Sequence, residues 1–126
     1  MSDSPLQRRL RSFRFAFRGI GQLFAREPNA RIHALATLCV VGLGSFLGLP
    51  ARDWAILIVT IALVLATEAL NSALEALADR VAPDDHPLVA RCKDLAAGAV
   101  LLAALGAVGV GLLVLGPPLL AALGLT

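Results

Sequence analysis

Glu68, Asn71, Glu75 and Asp79 follow one another at spacings of three, four and four residues, in a stretch that is otherwise almost wholly apolar. At about 100° per residue in an α-helix these side chains fall within an arc of roughly 80°, so they form one polar stripe on a single helix face. Two carboxylates and an amide arranged in this way can take a proton, orient a donor, or hold a hard divalent cation through oxygen. Glu68 and Glu75 stand about 10.5 Å apart along the axis. That separation asks for two roles rather than one shared magnesium ion. Glu68 also lies 14 residues beyond Trp54, about 21 Å along a crossing of about 30 Å. A carboxylate at that depth costs several kcal/mol, and intramembrane acids mark function more often than structure. An interhelical ion pair with Lys93 or Arg91 would account for one such acid. It accounts poorly for two acids and an amide on one face.

The elements that position the stripe are those of a membrane protein. The chain has 126 residues, of which 58% are hydrophobic and 16% charged, with a mean hydropathy of +0.81. A soluble domain is nearer half apolar and a quarter charged. The segment 32–49 carries one histidine and no acid, lysine or arginine, and 95–126 carries no charged side chain at all. These features exclude an ordinary soluble globule, a disordered tail and a disulfide-stapled secreted domain. They predict an all-α integral membrane protein with an N-terminal amphipathic interfacial helix and three transmembrane helices. Cys39 and Cys92 have no metal-ligand spacing and are expected at different depths, so both read as packing thiols. The N-terminal basic region is too long for a signal peptide and is followed by no cleavage site of small residues.

Phe13, Phe17, Ile20 and Phe24 form an apolar stripe flanked by Arg14, Arg18 and Arg26, the pattern of a basic helix lying in the membrane interface. Glu27-Pro28-Asn29 should end it, because a residue before proline is discouraged from helix. Residues 1–29 thus read as a cytoplasmic arm and 30–126 as a three-helix transmembrane unit. The first span is expected over about 30–49, with a turn at 48–53. The second runs from Trp54 to near Arg80, and the third from Pro87 to Leu115, stopped by Gly116-Pro117-Pro118. Ten of the eleven basic residues fall in the first 31 positions and the 80–93 connection, and Arg52 alone on the other side. That asymmetry predicts a cytoplasmic N-terminus. It also explains the net charge of +2 without a nucleic-acid partner. Glycines at 42, 44, 48, 106, 109 and 111 read as close helix contacts rather than a phosphate loop. His33 and His86, lacking a ligand partner at metal spacing, read as headgroup or capping contacts.

The run 68–79, E-A-L-N-S-A-L-E-A-L-A-D, resembles the signature of the prokaryotic diacylglycerol kinases and undecaprenol kinases. So do His86-Pro87-Leu88 with Lys93-Asp94, F-A-F-R-G-I at 15–20 and E-P-N-A-R-I-H at 27–33, and the likeness covers nearly all of 8–116. It implies a small bacterial inner-membrane enzyme, usually a homotrimer, that moves the γ-phosphoryl group of ATP, with Mg2+, to the hydroxyl of a membrane lipid alcohol. By the same resemblance Glu68 is the catalytic base with Asn71 beside it, and Glu27 and Glu75 hold magnesium with the nucleotide phosphates. Asp84, Asp85, His86, Lys93 and Asp94 form the nucleotide-binding segment, and Arg8 or Arg11 is a basic nucleotide contact. Pro28 departs from the family pattern, in which a basic or small residue follows the glutamate. The segments 31–33 and 86–88 are closer to the undecaprenol branch than to the diacylglycerol branch.

Three helices are too few to hide the acidic stripe from lipid on all sides, which favours a homo-oligomer with its sites beside subunit contacts. The alternative from another class is a non-enzymatic membrane module, such as a proton-path subunit using Glu68. Such a module would have no use for Glu27, Lys93 and Asp94 near phosphate.

Overall fold

The computed structural model describes residues 4–84 and 86–125. They form four helices: α1 (Pro5–Arg26), α2 (Pro28–Leu47), α3 (Ala51–Val81) and α4 (Pro87–Ala122). The last three are each long and apolar enough to cross a membrane.

The arm forms where its sequence predicts. Ser4 caps α1 with a reciprocal pair, accepting from Gln7 N at 3.2 Å while its own amide donates to Gln7 Oε1 at 2.8 Å. This satisfies two backbone donors that a helix start otherwise leaves open. At the other end Pro28 does two things. It holds Glu27 in extended backbone (φ −97°, ψ 112°) and serves as the first residue of α2. Only one residue therefore separates the arm from the first span. Arg31 fixes the angle between them: its Nε donates to Phe24 O at 2.9 Å and its Nη2 to Ala25 O. A cation bonded to the last carbonyls of a helix also complements the helix dipole.

The three spans run antiparallel, with the longest shared contact between α3 and α4, while α1 packs on α2 and α3. The α2–α3 connection is tight. Gly48 takes the left-handed conformation (φ +66°), Leu49 N donates to Gly44 O at 3.2 Å and Gly48 N to Ser45 O at 3.3 Å. Leu49 and Trp54 then close over Gly44, where an added Cβ would come within 3.0 Å of Leu49 Cδ1 and 3.1 Å of Trp54 Cη2. Leu49, Leu57 and Leu115 form the buried core of this end, with Val40, Leu43, Val110 and Val114 against them. Most other large apolar side chains face outward, Phe46 at 81% exposure and Leu113 at 79%, as lipid-facing residues do.

Four boundaries differ from expectation. The first span begins at Pro28 and ends at Leu47, and α3 begins at Ala51, a turn before Trp54. The larger correction is at the end of α4, which continues through Pro117 and Pro118 to Ala122. Gly116 has no Cβ to clash with the proline ring behind it, so it can stay helical. Two prolines also remove only two donors, those that would have met the carbonyls of Leu113 and Val114. The stop lies at Gly124 (φ +69°), with Leu125 N bonded to Leu120 O at 3.0 Å. At 31 and 36 residues, α3 and α4 measure about 46 and 54 Å. Both exceed the hydrocarbon thickness, so the α3–α4 connection and its charges reach into water.

Candidate active site

The polar stripe of α3 is present and graded in burial. Glu68 is 2% exposed, the most deeply buried charged side chain among the described residues. Its Oε2 is buried with no hydrogen-bond partner, and its backbone carbonyl accepts from Ser72 Oγ at 3.0 Å. One turn on, Asn71 Nδ2 donates to Glu75 Oε1 at 3.0 Å, while Asn71 Oδ1 is buried and unpartnered. The amide is thereby oriented, with one of its two N–H donors on Glu75 and its acceptor oxygen buried. A buried acceptor without a donor costs about 1–3 kcal/mol, and more when charged. Packing gives no return on that cost, so the two orphaned oxygens mark a place where a donor belongs.

The helix face carries charge into the α3–α4 connection. Lys93 Nζ meets Asp79 Oδ1 at 2.9 Å, tying α4 to the end of the stripe. These two, with Asp84, His86 and Asp94, border a cleft of about 540 Å³ at the tip of the helix pair. His86 caps α4, its Nδ1 accepting from Leu88 N at 3.2 Å. In the neutral ring the proton is then on Nε2, which remains available outward.

Residues 14–115 match the family model described as prokaryotic diacylglycerol kinase. The chain belongs to that family. A diacylglycerol kinase of Synechocystis sp. is 46% identical over 110 residues, 86% of this chain and 63% of that protein. The chain thus covers less than two thirds of the Synechocystis protein's length. An undecaprenol kinase of Bacillus subtilis is 36% identical over 116 residues, 92% of this chain and 94% of its own length. A diacylglycerol kinase of Escherichia coli is 34% identical over 94 residues, 75% and 77% of the two chains. With three spans and relatives of this kind, the chain is a bacterial membrane protein.

Among the residues that family resemblance singles out, the structure joins some and separates others. Asn71 and Glu75 are hydrogen-bonded, and Asp84, His86, Lys93 and Asp94 share one cleft. Asp85 lies outside the described residues. Glu27 is half-buried at the α1–α2 joint and borders a cleft of about 330 Å³ between Leu23 and Arg26 of α1 and Ala69, Ser72, Ala73 and Ala76 of α3. That wall of α3 is about a quarter-turn from the Glu68–Glu75 stripe. Glu27 therefore reaches the level of Glu75 from an adjoining face. Arg8 and Arg11 are exposed on α1, and the recess beside Arg11 is bordered by α1 residues alone.

Among the described residues no three His, Cys, Asp or Glu side chains cluster closely enough to cage a metal ion. Glu27 and Glu75 nevertheless suit magnesium. They supply hard oxygen donors, and magnesium commonly takes one or two carboxylates with substrate phosphates completing its shell.

Two features escaped the sequence. Glu68 is itself enclosed within a single protomer, whereas Asn71 and Glu75 are half-buried and Asp79 is exposed. His33, read as a headgroup or capping contact, instead faces a cavity between the spans together with Ala36, Thr37 and Val40. Positions 33, 36, 37 and 40 share one helix face, but α2 is apolar nearly all round, so periodicity does not mark that face as the inner one.

Proposed function

We propose that the protein transfers the γ-phosphoryl group of ATP to the hydroxyl of a membrane lipid alcohol, of the undecaprenol or diacylglycerol class, with Glu68 as the base. The observation that carries this reading is the buried, unpartnered Oε2 of Glu68 on a membrane-spanning helix whose charged end opens to water. A lipid hydroxyl is the donor that this oxygen lacks. Glu68 accepts the hydroxyl proton as the lipid oxygen bonds to the γ-phosphorus and the bond to the ADP oxygen breaks. ADP leaves with its electron pair, and the proton stays on Glu68 until it passes to water. Phosphoryl transfer is mainly a matter of placing and neutralising charge. Lys93 supplies positive charge beside the phosphates, and Asn71 holds Glu75 in position. Glu75 and Glu27 would hold Mg2+, which neutralises the phosphate oxygens when bound. Family membership favours this chemistry over a proton-path module.

The ten-to-one distribution of basic residues supports a cytoplasmic N-terminus and α3–α4 connection, on the side where ATP is found. Homotrimeric assembly is also proposed, on the family resemblance alone. The test of the activity is radiolabelled ATP with purified protein and a panel of lipid alcohols in mixed micelles. Label in a lipid phosphate is the expected result, lost in Glu68→Gln. A wild-type protein that labels no lipid alcohol overturns the proposal.

A further inference from the structure

Glu27 is the single residue between α1 and α2, and Arg31 holds it from both sides. The Glu27 amide donates to Leu23 O at 2.9 Å, and its carbonyl accepts from Arg31 N at 3.3 Å. The Arg31 side chain reaches back past it, Nε donating to Phe24 O at 2.9 Å and Nη2 to Ala25 O. In an unbroken helix Phe24 O would take the N–H of residue 28, which is proline and has none. Glu27, in extended backbone, takes Asn29 out of that ladder as well, since Asn29 belongs to α2. One guanidinium therefore meets the two carbonyls that the break leaves open. Leu23 and Ala30 are buried on the two sides of the joint.

The carboxylate is left out of this arrangement. Glu27 is the N-cap of α2, yet its side chain makes no capping bond. Glutamate and arginine four residues apart at a helix start ordinarily attract one another through their charges. Here the guanidinium goes to backbone carbonyls instead, and Glu27 borders the cleft against Ala69, Ser72, Ala73 and Ala76 of α3. Glu75 stands one residue before the last of these. A planar fork that bonds carbonyls fixes the joint without neutralising the acid. Glu27 keeps its charge for a cation.

We propose that Arg31 is a positioning residue for Glu27. Its fork on Phe24 O and Ala25 O sets the joint at the angle that brings the Glu27 carboxylate to the level of Glu75, where the two hold a divalent cation with the nucleotide. The inference rests on the lipid-kinase reading above. A displacement of about 1 Å at a working group costs up to about 10²-fold. Loss of the fork should therefore show in cation and nucleotide binding and not in the lipid.

The experiment reads Mn2+, a hard cation that suits the same oxygen ligands as Mg2+, by electron paramagnetic resonance on the purified protein with a non-hydrolysable ATP analogue. Unfolded protein lowers the number of sites and not the dissociation constant. Arg31→Gln removes fork and charge, whereas Arg31→Lys keeps the charge without the fork. Both should weaken Mn2+ binding by about tenfold or more, with the KM for the lipid alcohol within about twofold of wild type. Added to Glu27→Gln, Arg31→Gln should change the Mn2+ constant by less than about twofold, because it acts through the carboxylate already lost. An Arg31→Lys protein that binds Mn2+ within about threefold of wild type overturns the proposal, since charge alone then suffices. So does a further tenfold loss, roughly, in the double variant, or a loss confined to the lipid KM. If Arg31→Gln does not fold, Arg31→Lys decides alone. Glu27→Gln with wild-type Mn2+ binding overturns the metal role of Glu27 itself, and a wild type that labels no lipid alcohol overturns the kinase reading.

Discussion

At the α2–α3 turn the bundle is closed by leucine, valine and tryptophan packed over a glycine, with the backbone satisfied by left-handed Gly48. At the other end a carboxylate and an amide are buried with acceptors unmet, and Lys93 pairs with Asp79 at the exposed tip. The first region obeys the rules that make a structure stable: dry packing and paired polar groups. The second breaks both rules on the same three helices. A fold tolerates such an exception when the missing partner is a substrate, so the contrast separates what holds the molecule together from what the molecule does. Substitutions at the two ends should therefore fail in different measurements.

The largest effect is expected from Glu68→Gln. The amide keeps the shape of the side chain and cannot take the proton, so turnover should fall by roughly 10²–10⁴-fold, the usual worth of a general base. Thermal stability in detergent should not fall, because an uncompensated buried charge has been removed. A variant that loses stability in step with activity would make Glu68 a structural residue and erase the contrast.

Leu115→Ala tests the opposite end. Leu115 is 9% exposed in the closed core and lines neither the cavity nor the charged cleft. Truncating a buried leucine costs about 2–5 kcal/mol. The thermal transition should drop while the turnover of the folded fraction stays near wild type. A large loss of turnover in protein shown to be folded would mean that the two ends are coupled.

How far this division was legible in the sequence depends on the helix. The arm was legible from two signals: Pro28 stops it, and Phe13, Phe17, Ile20 and Phe24 form one stripe flanked by Arg14, Arg18 and Arg26. The polar stripe was legible for the same reason, since four polar residues stand out on an apolar helix. The faces of α2 and α4 were not. Both are apolar all round, so periodicity cannot say which side meets lipid and which meets protein. That ambiguity hid the cavity behind His33 and the enclosure of Glu68 by one protomer. The stop of α4 was misplaced because prolines usually end a helix, and here the glycine before them relieves one of the clashes that would do so.

Asn71→Ala should have an intermediate effect and sharpen the roles within the charged end. It removes the donor to Glu75 Oε1, and a hydrogen bond to a charged group is worth about 1.5–3 kcal/mol. If Asn71 serves by holding Glu75, the loss should appear mainly as a raised KM for Mg·ATP, of about tenfold or more. Glu75→Gln should move the same parameter, whereas Glu68→Gln should leave nucleotide binding intact. An Asn71→Ala variant that loses turnover alone would instead place the amide with the base.

The smallest effect is expected at the ion pair that looks most like a brace. Lys93 and Asp79 meet at 2.9 Å, but the side chains are 38% and 70% exposed. Water and salt screen such a pair, and exposed ion pairs contribute about 0–1 kcal/mol. Asp79→Asn should therefore lower stability by less than about 1 kcal/mol, and raising the ionic strength should shrink even that difference. Lys93→Gln should be equally mild in stability yet weaken ATP binding, because it removes a cation opposite the phosphates. Thermal melts and ATP titrations of the two variants at low and high salt separate these roles. A large, salt-insensitive loss of stability in both would show that the pair clamps α4 to α3, and the charged end would then be structural as well.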